Sequence, residues 1–168
     1  MGRMKHAARI ALIAALAVPW AAAAAVVVTF KDPERFSETG IFRDDGPAAM
    51  EHIDMHLKRL GQRYLPADQT LRIEVLDMDL AGEQQMGPRG QDIRVMRGRA
   101  DWPTIKLRYT WERPNAAPQS AEETVSDMAY LQRTVPSLEA FAHEKRMLET
   151  WFKQRFVAAS PRKAPAPK

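Results

Sequence analysis

Between Pro103 and Glu112 the side chains alternate: Ile105, Leu107, Tyr109 and Trp111 are apolar or aromatic, while Thr104, Lys106, Arg108 and Thr110 are polar or charged. Successive side chains of a strand point to opposite faces, so this run buries one face and wets the other. A parallel strand covered by helices on both sides reads instead as a continuous apolar run; alternation is the mark of an antiparallel strand. Pro103 suits the first residue of such a strand, where its missing N–H breaks no ladder. Any helices in this chain must therefore gather on one side of the sheet.

Two helices are predicted. Met50, Ile53, Leu57, Leu60 and Tyr64 recur at three and four, forming one stripe, with Pro47 at the start, Gly61 near the end and Pro66 beyond it. A second helix is predicted from Ser137 to Val157, with Leu138, Phe141, Leu148, Phe152 and Phe156 on one side. Val26 to Phe30 reads as an opening strand, and "KDPERFSETG" as a loop. Ile93 and Val95 suggest a short partner for the alternating strand, joined to it through "MRGRADW"; Val125 marks another strand, and "EQQMGPRGQ" reads as a loop. Strand, helix, strands, helix predicts an α+β fold: a two-layer sandwich with a mainly antiparallel sheet of about four strands and both helices packed on one face.

The strand before that loop changes parity. Leu71, Ile73 and Val75 share one side, but Leu76, Met78 and Leu80 share the other. A straight strand would drive Asp77 and Asp79 into the core with Leu71. Burying two like charges side by side is costly unless one takes a proton or a cation joins them, so the cheap solution is either a bulge near Val75-Leu76, turning both carboxylates outward, or the end of the strand.

The N-terminus carries Arg3, Lys5 and Arg9, then the apolar run Ile10 to Val18, then the alanines up to Ala25. This is the pattern of a secretory signal peptide over residues 1–25. The uncharged stretch from Ile10 to Phe30 is long enough to span a bilayer if retained, but Pro19 and the alanine-rich composition weaken that reading. Cleavage near Val26 would leave 22 basic against 21 acidic residues, lowering the net charge from +4 to +1. A nearly neutral exported chain has no call on nucleic acid, and its zero cysteines remove disulfides and thiolate chemistry. Residues 26–157 then suffice for a single domain, and the Pro-, Ala- and Lys-rich tail 158–168 lacks the apolar residues to order itself.

Candidate sites are sparse. Asp77 and Asp79, with Asp101 as a third oxygen donor, are the best case for a cation cradle and hence for a metal-assisted hydrolase. His52 and His56 lie four apart on the first helix, a spacing that can grip a metal, but "HIDMH" lacks the zincin glutamate. No serine sits in a glycine-flanked elbow and no phosphate-binding loop occurs, so no catalytic residues and no cofactor are assigned. Lys145 falls within about 30° of the centre of the last helix's apolar stripe, and a lysine there must pair or snorkel; Asp79 and Asp101 are the expected partners. Arg94, Arg97, Arg99, Lys106 and Arg108 cluster within one hairpin region, suggesting a basic sheet face for an anionic partner.

The motifs "FKDPERF", "LDMDLAG", "IRV", "DWPTIKLRY", "SDMAYL" and "HEKRMLETWF", in this order, resemble an uncharacterised family of exported bacterial proteins known only as a domain of unknown function. The resemblance spans nearly the whole chain after the leader and implies one periplasmic or secreted domain with no assigned activity. Its motifs mark Asp79, Leu80, Gly82, Arg94, Asp101, Trp102, Pro103, Asp127, Tyr130, Glu144, Lys145, Trp151 and Phe152, a set expected to form a structural network that includes Asp79, Asp101, Glu144 and Lys145. The function expected is a non-enzymatic binding or assembly module whose partner is an envelope protein or an anionic envelope component; the alternative is the hydrolase.

Overall fold

The computed structural model describes residues 24–37, 46–136 and 138–158, apart from the side chains of Gln84 and Asp92. All but the inner ends of the expected leader and tail, together with Ser137, lie outside the described residues. The elements in chain order are β1 (Ala25–Phe30), α1 (Gly46–Tyr64), β2 (Thr70–Asp79), β3 (Glu83–Met86), β4 (Asp92–Val95), β5 (Thr104–Glu112), β6 (Gln119–Ser126) and α2 (Ala142–Phe152).

Four strands form one sheet in the order β1-β2-β5-β6. The pairs β2–β5 and β5–β6 are antiparallel, while β1 runs parallel to β2. A parallel pair needs a crossover longer than a hairpin, and α1 supplies it. The architecture is thus α+β and mainly antiparallel, with one parallel edge. On β5, Ile105, Leu107, Tyr109 and Trp111 are all buried and Lys106 and Arg108 exposed. The core joins this face to Ile53, Leu57 and Leu60 of α1 and Leu148 and Phe152 of α2, so the other sheet face stays open.

The parity change in β2 is resolved as a bulge. Val75 pairs with Leu107 but Asp77 with the adjacent Lys106, leaving Leu76 as the extra residue. Met78 thereby rejoins the buried face and both aspartates turn to the outer one.

Three sequence expectations change. β4 does not pair with β5, because β2 and β6 already occupy both of its edges; it pairs with β3 in a separate two-stranded ribbon. The first half of "EQQMGPRGQ" is therefore a strand. The second helix begins at Ala142 rather than Ser137, since Phe141 adopts a left-handed conformation (φ 55°, ψ 38°) that no helix can run through. Leu138 consequently lies outside the core and is fully exposed. Beyond α2 the chain continues as a π-helical turn, Lys153–Val157, closed by the Ala158 N–H on the Lys153 carbonyl at 2.9 Å.

Gly61 packs directly against β1. A Cβ added there would collide with the side chain of Val26. Gly61→Ala is expected to destabilise the fold by about 1–3 kcal/mol despite alanine's better helix propensity, because the overpacked contact outweighs the gain. Adding Val26→Ala should recover most of that loss, a double-mutant cycle readable by urea unfolding.

Candidate functional site

The ends of β2 and β4, the segment from Met96 to Pro103, the connector after β6 and the first turn of α2 meet at one corner of the molecule. Gly82 makes the turn from β2 into the ribbon with φ of 84°, and a Cβ there would sit 2.9 Å from the Val95 carbonyl oxygen. Only glycine meets both demands. The Gly82 N–H donates to the Asp101 carbonyl at 2.9 Å, holding the turn to the segment before β5.

Asp101 is buried and its carboxylate organises that segment. It accepts the Arg97 N–H at 2.6 Å, the Arg99 N–H at 2.8 Å and the Tyr130 hydroxyl at 2.9 Å. Tyr130 in turn accepts the Gly98 N–H at 3.2 Å. Burial pushes the Asp101 carboxyl up, but these donors outweigh it and hold it below the usual carboxylate range. The unfolded chain lacks them, so the stability Asp101 contributes is present above the ordinary aspartate range and is lost as pH falls through its lower folded value.

Glu144 lies in the first turn of α2 and is almost wholly buried. Its carboxylate accepts the Ala81 N–H at 2.8 Å and stands 3.8 Å from the Arg94 guanidinium. Arg94 also lies over the Phe141 ring, 5.8 Å from its centre, while His52 packs on the same ring at 5.4 Å. These contacts hold Phe141 in its strained backbone conformation. His143 stacks edge-on to Tyr130 at 5.0 Å, and its Nδ1 is buried with no hydrogen-bond partner among the described residues. A cleft of about 380 Å³ opens beside these groups, lined by Arg94, Met96, Val135, Pro136, Phe141 and His143 among others.

The structure brings Asp101 and Glu144 to this corner, with Asp79 at the end of β2. Asp79 remains exposed. Loss of water around its carboxyl, then repulsion from Asp77, raise its pKa against the pull of Arg94. A carboxyl raised in the fold favours folding below the unfolded pKa and costs stability above the folded one. Asp79→Asn is therefore expected to be at least as stable as the parent at neutral pH, the advantage vanishing as pH falls toward about 4; thermal unfolding at both pH values checks this.

Lys145 does not reach the aspartates. It pairs with Glu139 at 3.0 Å, a residue of the connector, because the left-handed turn at Phe141 brings that segment back over the helix. Asp77 is also spoken for: it accepts the Ser37 N–H at 2.7 Å, the Ser37 hydroxyl at 2.8 Å and the Met78 N–H at 2.9 Å. His52 and His56 part company, His52 on Phe141 and His56 toward Lys145 and Glu149. Burial lowers the His56 pKa, against the opposing pulls of the Lys145 main chain and Glu149. No group of three or more metal-ligating side chains occurs among the described residues.

The five cations of the expected basic face do not share a surface. Only Lys106 and Arg108 lie on the open sheet face, and there Lys106 meets Glu122 at 3.0 Å while Arg108 meets Glu74 at 2.9 Å and Glu122 at 2.8 Å. Cross-strand register makes the interlock: Glu74, Arg108 and Glu122 stand side by side on β2, β5 and β6. Arg94, Arg97 and Arg99 belong to the ribbon and the segment after it. What sequence reasoning missed, Glu122 as the partner of Lys106 and Arg108, Glu139 as the partner of Lys145, and the role of Phe141, depends on the tertiary fold.

The corner is built from Leu80, Gly82, Arg94, Asp101, Tyr130 and Glu144, each within short motifs spread through the chain. A family model described as Protein of unknown function (DUF3016) matches residues 24–154. The chain belongs to this family. The match takes in every strand and helix from β1 to α2. No curated protein matches the chain. No helix among the described residues is long and apolar enough to cross a membrane.

Proposed function

We propose that this chain is an exported protein of the cell envelope that acts by binding, as an assembly or docking module, rather than by catalysis. The observation that carries this reading is how the corner's acids are used. Asp101 and Glu144 face inward and accept main-chain N–H groups, so they hold loops in place instead of meeting a substrate. Asp77 is engaged by Ser37 and its own strand in the same way. The ribbon and the following segment expose Arg89, Arg97 and Arg99 together with the acid Glu83, an excess of cations that suits an anionic envelope component.

Export itself is the first test. Cell fractionation with N-terminal sequencing should find processed protein starting near residue 26 outside the cytosol; full-length material confined to the cytosol would defeat the proposal. Crosslinking in intact cells would then identify the partner. For the hydrolase reading, titration with calcium, magnesium and zinc should give no binding that Asp79→Asn removes.

A further inference from the structure

We propose that the β3–β4 ribbon is a wedge that docks on an anionic phospholipid surface. The inference rests on the binding-module reading and names its partner.

The ribbon is short and well formed at its tip. The Gly90 N–H donates to the Gly87 carbonyl at 3.0 Å, the Gly87 N–H to the Gln91 carbonyl at 2.7 Å, and the Arg89 N–H to the Gln91 side chain at 3.0 Å. Behind this tip stand large apolar side chains in water: Met86 is 79% exposed and Ile93 39%. They are on opposite faces. Gln85 pairs with Ile93, and Met86 is the next residue along, so the pleat turns it the other way. At the ribbon's base Met96 is exposed beside the cleft, and Leu131 is exposed against Gly98.

Arg89 lies at the tip, with Arg97 and Arg99 behind it, all exposed. Arg97 meets Glu83 at 3.1 Å, and among the described side chains no carboxylate pairs with Arg89 or Arg99. The nearby acid Asp101 is turned inward. Against Glu83 and Asp92 of the ribbon, the exposed Arg89, Arg97 and Arg99 leave a small cationic excess beside the apolar side chains.

That geometry favours lipid over a protein partner. A flat protein surface covers one face of a ribbon, whereas Met86 and Ile93 lie on both. A fluid interface closes around a protruding tip, taking the apolar side chains among the acyl chains while the arginines meet phosphates. Each arginine near such a surface adds attraction that salt weakens.

Flotation of the whole chain with vesicles of phosphatidylglycerol and phosphatidylcholine in equal parts, against phosphatidylcholine alone, tests the inference. Binding to the anionic vesicles is expected, falling about tenfold or more in Arg89→Glu/Arg99→Glu and in high salt. Met86→Ser/Ile93→Ser should also weaken binding while leaving its salt dependence. Because these side chains are exposed, both variants should keep the parent melting temperature; if one does not, Arg89→Glu alone serves. Absence of binding to anionic vesicles overturns the inference. So does salt-resistant binding unchanged in both variants, which would assign the attraction to the N-terminal apolar run. A protein found exported and processed but indifferent to vesicles would keep the proposed function and lose the wedge.

Discussion

Phe156→Ala is expected to cost about 3–5 kcal/mol of folding stability, a large fraction of the roughly 5–15 kcal/mol a domain has to lose. The residue is in the π-helical turn after α2, close to the end of the described chain, and is nearly inaccessible to water. Its ring centre lies 5.2 Å from that of Tyr109, 5.3 Å from Trp111, 5.3 Å from Trp151 and 5.0 Å from Phe152, in edge-to-face arrangements. It therefore joins β5 to the last helix through aromatic contacts that add to the area it buries. Truncation to alanine leaves a cavity walled by stiff rings that cannot collapse into it. Phe156→Leu, which fills more of the space, should cost substantially less. Urea unfolding followed by tryptophan fluorescence reads both, since Trp111 and Trp151 border the site. A cost below about 1 kcal/mol for the alanine variant would mean that the turn is dispensable.

Glu144→Ala is expected to cost about 2–4 kcal/mol. The substitution strands the buried Ala81 N–H and removes the acid beside Arg94, whose guanidinium is itself largely enclosed. The Ala81 N–H stays out of water without its acceptor and the enclosed Arg94 loses one of its contacts, and that desolvation is what makes the loss large. Glu144→Gln keeps an acceptor for Ala81 and should lose only about 1 kcal/mol, the part due to charge. Amide hydrogen exchange separates this account from general loosening. In Glu144→Ala the amides of Ala81 and Gly82 should exchange faster before those of β5 do. Equal stability of parent and Glu144→Ala would show that the contact between β2 and α2 is incidental.

The two substitutions differ in what announced them. Phe156 was visible in the sequence as part of an apolar stripe, although the π turn carrying it was not. Glu144 stood out only through its motif, because nothing in its own helix says that it faces inward toward Ala81.

Periodicity by itself determined the open-faced sheet and the first helix, and narrowed β2 to a bulge or an early end, between which the pairing with β5 decided. The alternation of β5, the stripe of α1 and the parity change at Val75-Leu76 are each written within about fifteen residues, and burial of apolar side chains leaves few economical solutions. Composition likewise removed thiol chemistry. Tertiary structure alone decided which strand lies beside which. Local pattern makes β4 the neighbour of β5, but β6, whose polar sequence QSAEETVS carries little pattern, holds that edge. The same pairing set Glu122 against Lys106 and Arg108 and neutralised a face that looked basic in one dimension. Phe141's left-handed turn set Lys145 against Glu139 instead of an aspartate. Charge pairing and backbone strain are settled by residues brought together across long stretches of chain, and a local pattern carries no record of them.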